Sequence, residues 1–182
     1  MRTLVLGGIR SGKSRWAESA LAESVAPGEP VRYVATGPKT DADTSWLERV
    51  AAHRARRPAD WSTVETADVA TLLRASTASA TLIDDLGGWL TAMLDSRDAS
   101  ATDGASVSAD IDELLDAICC FGPPLMMVSP EVGLTVIPAT ASGRRFADEL
   151  GALNQRLADI CDRVVLIVAG QPVNVKEPDG RQ

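Results

Sequence analysis

The stretch "TLVLGGIRSGKSRWAESALAES", residues 3–24, decides the fold. Inside it, "GGIRSGKS" places Gly7, four residues, then Gly12, Lys13 and Ser14, the spacing of a phosphate-binding loop. The flanks are the ones such a loop needs. An aliphatic strand, "TLVLG", precedes it, and a helix-forming run, "SRWAESALAES", follows with Trp16, Ala20 and Leu21 on one side. Glycines let backbone N–H groups wrap around phosphate oxygens, and the helix N-terminus adds a favourable dipole. The candidate nucleotide-binding set is therefore Gly7, Gly8, Ile9, Arg10, Ser11, Gly12, Lys13 and Ser14. Lys13 would neutralise β- and γ-phosphate oxygens, and the Ser14 hydroxyl would ligate Mg²⁺.

Further aliphatic runs recur at 31–37 ("VRYVATG"), 81–85 ("TLIDD"), 124–129 ("PLMMVS") and 163–170 ("RVVLIVAG"). Their hydrophobicity is continuous rather than alternating, which suits strands buried on both faces. Between them, "SADIDELLDAICC" (108–120) puts Ile111, Leu114, Leu115 and Ile118 on one face, with Ser108 or Asp110 as its cap. "RRFADELGALNQRLADIC" (144–161) spaces Leu150, Leu153, Leu157 and Ile160 helically, although Gly151 weakens it. Strand–helix alternation predicts an α/β fold: one P-loop domain with a mostly parallel sheet flanked by helices. The domain is expected over residues 1–175, with a polar tail at 176–182. The Asp/Ser/Ala-rich stretch 95–110 reads as a mobile connection.

The chain has 182 residues and a formal net charge of −7. That acidity, with no basic run beyond Arg54, Arg56 and Arg57, argues against nucleic-acid or membrane-surface binding and for small-molecule chemistry. Arg54, Arg56 and Arg57 remain suited to a small anion, because guanidinium matches phosphate geometry. Three cysteines, Cys119, Cys120 and Cys161, form neither a disulfide framework nor zinc knuckles. Reduced thiols and the lack of a signal-like N-terminus or a long apolar run point to the cytoplasm.

A phosphate loop also needs a carboxylate at the end of a nearby strand. Asp84 and Asp85 follow "TLI" directly, and Asp84 is the first choice as Mg²⁺ partner of Ser14, the alternatives being a solvated strand-end pair or a helix cap. A guanine-reading Asn-Lys-x-Asp is absent. A small acidic single domain then favours a metabolite kinase or nucleotidyl transferase.

Several segments, in order, narrow this. They are "GGIRSGKSRWAE" at the start, "YVATG" (33–37), "RVAAHRARRPADW" (49–61), "LIDD" (82–85), "EVGLTVIP" (131–138) and "GRRFADELGALNQRLADICDRVVLIVAG" (143–170). Over nearly its whole length the chain resembles the bifunctional adenosylcobinamide kinase / adenosylcobinamide-phosphate guanylyltransferase family (CobU/CobP) of cobalamin biosynthesis. The resemblance implies phosphorylation of the aminopropanol hydroxyl of adenosylcobinamide by a nucleoside triphosphate. Transfer of GMP from GTP onto that phosphate follows, through a guanylylated histidine. Substrates would be GTP, ATP and adenosylcobinamide, used with Mg²⁺ and no tightly bound organic cofactor, in a homotrimer.

The family histidine falls on His53, the only histidine in the chain. A neutral imidazole suits attack on an α-phosphorus, splitting one displacement into two. The following residues Arg54, Ala55, Arg56 and Arg57 would lie against the triphosphate, and "ERVAAHRARR" reads as a helix. The resemblance also places Thr36 and Gly37 in a loop touching nucleotide, and Glu65 near guanine or ribose. Two positions depart from the family pattern. Asp84 stands where Glu is usual, and Pro130 replaces an Asn, losing a backbone donor and a side-chain amide. Two rival readings are a related kinase without the transfer step, and a nucleotide-binding regulator that has lost catalysis.

Overall fold

The computed structural model describes residues 1–37, 58–75, 78–100 and 106–178. The helix expected around His53, and His53 itself, lie outside the described residues. Among the described residues, seven strands form one sheet: β1 (Arg2–Gly7), β2 (Val31–Ala35), β3 (Ser62–Glu65), β4 (Ala80–Asp84), β5 (Leu125–Pro130), β6 (Arg163–Val168) and β7 (Gln171–Lys176). Their order is β3-β2-β4-β5-β1-β6-β7. All neighbouring pairs are parallel except β6 with β7. The described helices are α1 (Lys13–Ser24), α2 (Val69–Ala75), α3 (Leu86–Ser100), α4 (Ser108–Cys120) and α5 (Ala141–Ile160). The expected α/β, mostly parallel architecture is the one observed.

Continuous hydrophobicity in the central strands has a direct cause. Leu4 and Val5 are adjacent and both fully buried, one on each face of the sheet. Leu4 packs with α2, α3, α4 and α5 residues such as Leu73, Leu90, Leu114 and Leu153. Val5 packs with Ala17 and Leu21 of α1. Each such leucine, taken from water to full burial, contributes about 1.5–3 kcal/mol.

Four elements escaped the sequence pattern. The strands β3 and β7 are the sheet's two edges, and their side chains are mostly exposed, so the burial that writes a hydrophobic run is missing. β7 even carries Pro172, which an edge tolerates because no further ladder bond is required there. The helix α2 has only seven residues. The helix α3 opens on Gly87 and Gly88, poor helix formers. Packing demands both. A Cβ at Gly87 would sit 2.8 Å from Cγ of Pro130, and one at Gly88 would sit 3.1 Å from Cα of Gly37.

The stretch 95–110 is not wholly a connection. Residues 95–100 continue α3, and α4 begins at Ser108. Arg97 donates to both oxygens of Asp110 at 3.0 and 2.7 Å, clamping the two helices where the composition suggested a loose link. Asp110 is thus an ion-pair partner in the first turn of α4. Val107 is the N-cap, without a side-chain cap bond, and the Ser106 hydroxyl accepts from Ser108 N–H at 3.1 Å. The helix α5 begins three residues earlier than its periodicity implied, because Thr140 Oγ1 accepts from Gly143 N–H at 3.1 Å and caps it.

Cys119 and Cys120 are exposed, whereas Cys161 is buried. Burial, which disfavours the thiolate, pushes the Cys161 thiol up to about 12. Its folded-state pKa is raised, so its contribution to stability is intact at neutral pH. That contribution is lost as pH rises from the ordinary thiol value of 9.0 towards about 12. At pH 8 iodoacetamide is expected to alkylate two thiols per native chain and the third only in denaturant, as counted by intact mass.

Candidate active site

The loop from Gly7 to Ser14 leaves the carboxyl end of β1 and turns into α1. Arg10 and Gly12 take positive φ, 58° and 93°. Ser11 N–H donates to Gly8 O at 3.2 Å, and Gly170 N–H, just beyond β6, donates to Ser11 O at 2.8 Å. Gly12 is the N-cap of α1, so no side chain closes that helix end, and its first turn holds no acidic residue. By contrast, α5 is capped by Thr140 and α3 by Asp85, whose Oδ1 accepts from Gly88 N–H at 2.8 Å. An uncapped end leaves the first backbone N–H groups of α1 directed at whatever anion the loop holds. Lys13 bends back over the loop, its Nζ donating to Gly8 O at 3.5 Å.

Gly7 is required by close packing. A Cβ there would collide with Ser11 Oγ and meet the carbonyl of Ile167 at 2.9 Å. Gly7→Ala is expected to cost about 2 kcal/mol in urea unfolding and to weaken nucleotide binding, because loop and β6 must part to admit it. Unchanged urea midpoint and unchanged affinity would show that the loop gives freely.

Asp84 closes β4, two strands from β1 with β5 between them. Its Oδ1 accepts from Ser14 Oγ at 3.1 Å and its Oδ2 from Tyr33 Oη at 2.7 Å. The carboxylate is thus aimed at the start of α1 from across the sheet. Adjacent Asp85 turns the other way to cap α3, and its carbonyl accepts from Thr36 Oγ1. Tyr33, which steadies Asp84, was not singled out from the sequence. A lone tyrosine in an aliphatic strand is the signal that marks it, since a buried phenol seeks a partner.

Whether this site suits a divalent cation follows from its donors. Ser14 Oγ and Asp84 Oδ1 are hard oxygen ligands already within 3.1 Å of each other. Among the described residues no group of three or more His, Cys, Asp or Glu side chains assembles a metal cage. Mg²⁺ is ordinarily held by one or two protein oxygens completed by phosphates and water, and that is the arrangement these residues permit.

Thr36 is buried at the carboxyl end of β2, followed by exposed Gly37 against the start of α3. Both therefore share the sheet edge that carries the phosphate loop. Glu65 ends β3, four strands from β1, roughly 19 Å away at the usual spacing of ~4.8 Å per strand. It is not brought to the phosphate loop, but it pairs in register with Ala35, beside Thr36 and Gly37. Arg54, Ala55, Arg56 and Arg57 lie outside the described residues with His53. Pro130 pairs with Gly7, and its carbonyl accepts from Asn154 Nδ2 at 3.0 Å. The loop after β5 is thus held through the proline's carbonyl and by Glu131 N–H, which donates to Gly7 O at 3.1 Å.

A glycine-rich loop, an uncapped helix and a carboxylate reaching across one strand define a P-loop nucleotide-binding protein. In fold it is similar to an ATPase of a bacterial type III secretion system, at TM-score 0.52 and 13% identity, covering 91% of this chain and 50% of that one. Residues 3–175 match the family model for cobinamide kinase / cobinamide phosphate guanyltransferase, and the chain belongs to that family. It is similar to the bifunctional adenosylcobalamin biosynthesis protein CobP of Pseudomonas aeruginosa, 42% identical with 97% of this chain and 98% of that protein covered. CobU of Salmonella typhimurium is 36% identical, with 97% and 100% covered. The chain is accordingly an enzyme of two activities, a cobinamide kinase and a cobinamide-phosphate guanylyltransferase.

Proposed function

We propose that the two activities are divided between the phosphate loop and His53. In the first, the loop from Gly7 to Ser14 holds a nucleoside triphosphate, ATP or GTP, with Lys13 against its β- and γ-phosphates. Ser14 and Asp84 would hold Mg²⁺, which when bound offsets charge on the phosphate oxygens. The acceptor hydroxyl of adenosylcobinamide attacks the γ-phosphorus. The new P–O bond forms as the β–γ bridging bond breaks, and the hydroxyl proton leaves to solvent.

In the second, an imidazole nitrogen of His53 attacks the α-phosphorus of GTP. An N–P bond forms, the α–β bridging bond breaks and pyrophosphate departs. An oxygen of adenosylcobinamide-phosphate then attacks the same phosphorus, releasing His53 and giving adenosylcobinamide-GDP. Arg54, Ala55, Arg56 and Arg57 line the triphosphate, with the guanidinium groups opposing charge that grows in the transition state. Thr36 and Gly37 contact nucleotide at the end of β2, and Glu65 contacts the guanosine end. The working unit is one domain over residues 1–175 with a polar tail at 176–182, assembled as a homotrimer in the cytoplasm and using no tightly bound organic cofactor. Among the described residues no helix is long and apolar enough to cross a membrane.

The observation that supports this most is the meeting of Ser14 and Asp84, 70 residues apart, at the uncapped end of α1. Incubation with Mg²⁺ and GTP labelled at the α-phosphate is the test. Acid-labile, base-stable label on the protein that a chase with adenosylcobinamide-phosphate removes is the expected result. Protein that never takes label while still phosphorylating cobinamide would overturn the second half.

A further inference from the structure

A groove of about 470 Å³ runs along α5, opposite the described loop 131–138. That volume lies in the range of small-molecule sites. It exists because α5 shows the groove Ala147, Gly151 and Ala158, which leave room between helix and loop. Its walls are preformed. Asn154 holds the loop at one end through Pro130 O, at 3.0 Å. Arg144 holds the other end through Pro138 O and Ala139 O, at 3.1 and 2.8 Å.

Two aliphatic side chains of the loop that line this groove stand in solvent: Val136 at 91% and Ile137 at 79% exposure. Val175 of β7, 62% exposed, also lines it. Exposed aliphatics clustered on one face mark a binding surface. Asp148 and Gln155 add an acceptor and an amide on the helix side. The groove's inner end includes Leu6 and Glu131. Leu6 immediately precedes Gly7, and Glu131 N–H is bonded to Gly7 O. The inner end of the groove is thus formed by the residue just before the phosphate loop and by one bonded to the loop's first residue.

We infer that this groove is the acceptor site for the corrin body of cobinamide. A corrin ring offers a broad methyl-rich face and a rim of amide arms. Aliphatic Val136, Ile137 and Val175 suit the face, while Asp148 and Gln155 suit the amides. The hydroxyl that is phosphorylated ends one of those arms, so a ring seated along α5 sends it past Glu131 towards the phosphate loop. The groove grips part of the ring and leaves the remainder in solvent. This inference rests on the family activity and on the phosphate-loop assignment.

Val136→Asp and Ile137→Asp are the tests, since such exposed positions tolerate a carboxylate without unfolding. Each is expected to raise KM for adenosylcobinamide at least tenfold. Affinity for a fluorescent N-methylanthraniloyl GTP, and the mass measured by light scattering, should stay unchanged. A KM within twofold of the parent in both variants overturns the inference. So does a fall in mass accompanying any rise in KM, because the face would then be a contact between copies of the chain. Failure of the parent protein to bind the fluorescent GTP would instead strike the phosphate-loop assignment.

Discussion

His53→Ala is expected to abolish covalent labelling by α-labelled GTP and to lower GMP transfer by about 10⁴-fold or more, the scale on which loss of a nucleophile is felt. Cobinamide phosphorylation should stay within threefold of the parent, because the proposed division of labour assigns it to Gly7–Ser14. That asymmetry is what makes the result diagnostic. His53 is the only histidine in the chain, so no second imidazole is present to take over the bond. A phosphoramidate is acid-labile and base-stable, which separates it from an ester on serine or a mixed anhydride on a carboxylate. Label persisting on His53→Ala would remove His53 from the chemistry altogether. Equal loss of both activities would make it a residue of the nucleotide site at large.

The second large effect is expected at the phosphate loop. Lys13→Ala should lower kcat/KM for cobinamide phosphorylation by about 10³-fold, comparable to deleting a preorganised donor at a developing negative charge. Lys13 is the first residue of α1, and its ammonium reaches back only as far as Gly8 O, at 3.5 Å. That long contact is easily exchanged for phosphate oxygens. The side chain is only partly buried and its removal leaves no cavity in either core, so circular dichroism should be unaltered. Lys13→Arg should not restore the rate, since a planar fork does not substitute for a compact ammonium among crowded oxygens. Retention of more than a tenth of the parent kcat/KM would show that phosphoryl transfer does not depend on this charge.

Central strands were legible because burial on both faces compels adjacent aliphatics, as at Leu4 and Val5. The edges β3 and β7 were not, because exposed strands carry no such compulsion. The helix α3 was hidden by Gly87 and Gly88, whose local cost is overridden by contact with Pro130 and Gly37 from elsewhere in the chain. The stretch 95–110 misled for a related reason. Its composition describes a loop, and the Arg97–Asp110 clamp that opposes it is seen only once two helices are packed together.

Asp84 and Asp85 show the same division within the site. The sequence identifies an acidic pair at a strand end and puts Asp84 first, but it does not show what either carboxylate contacts. Their division of labour depends on where the chain points each carboxylate: Asp84 towards Ser14 and Tyr33, Asp85 towards Gly88.

By itself, then, the sequence determined the phosphate loop, the parallel core strands and, through the family's ordered segments, the two activities. Each of these is written in local spacing, where neighbouring residues must jointly wrap an anion or jointly fill a core. Only the tertiary structure decided that β5 lies between β1 and β4, that Asp84 reaches Ser14, and that α5 and residues 131–138 enclose a groove opening beside the loop. These depend on which distant segments pair, and pairing is settled by packing across the whole sheet rather than by the residues at either end.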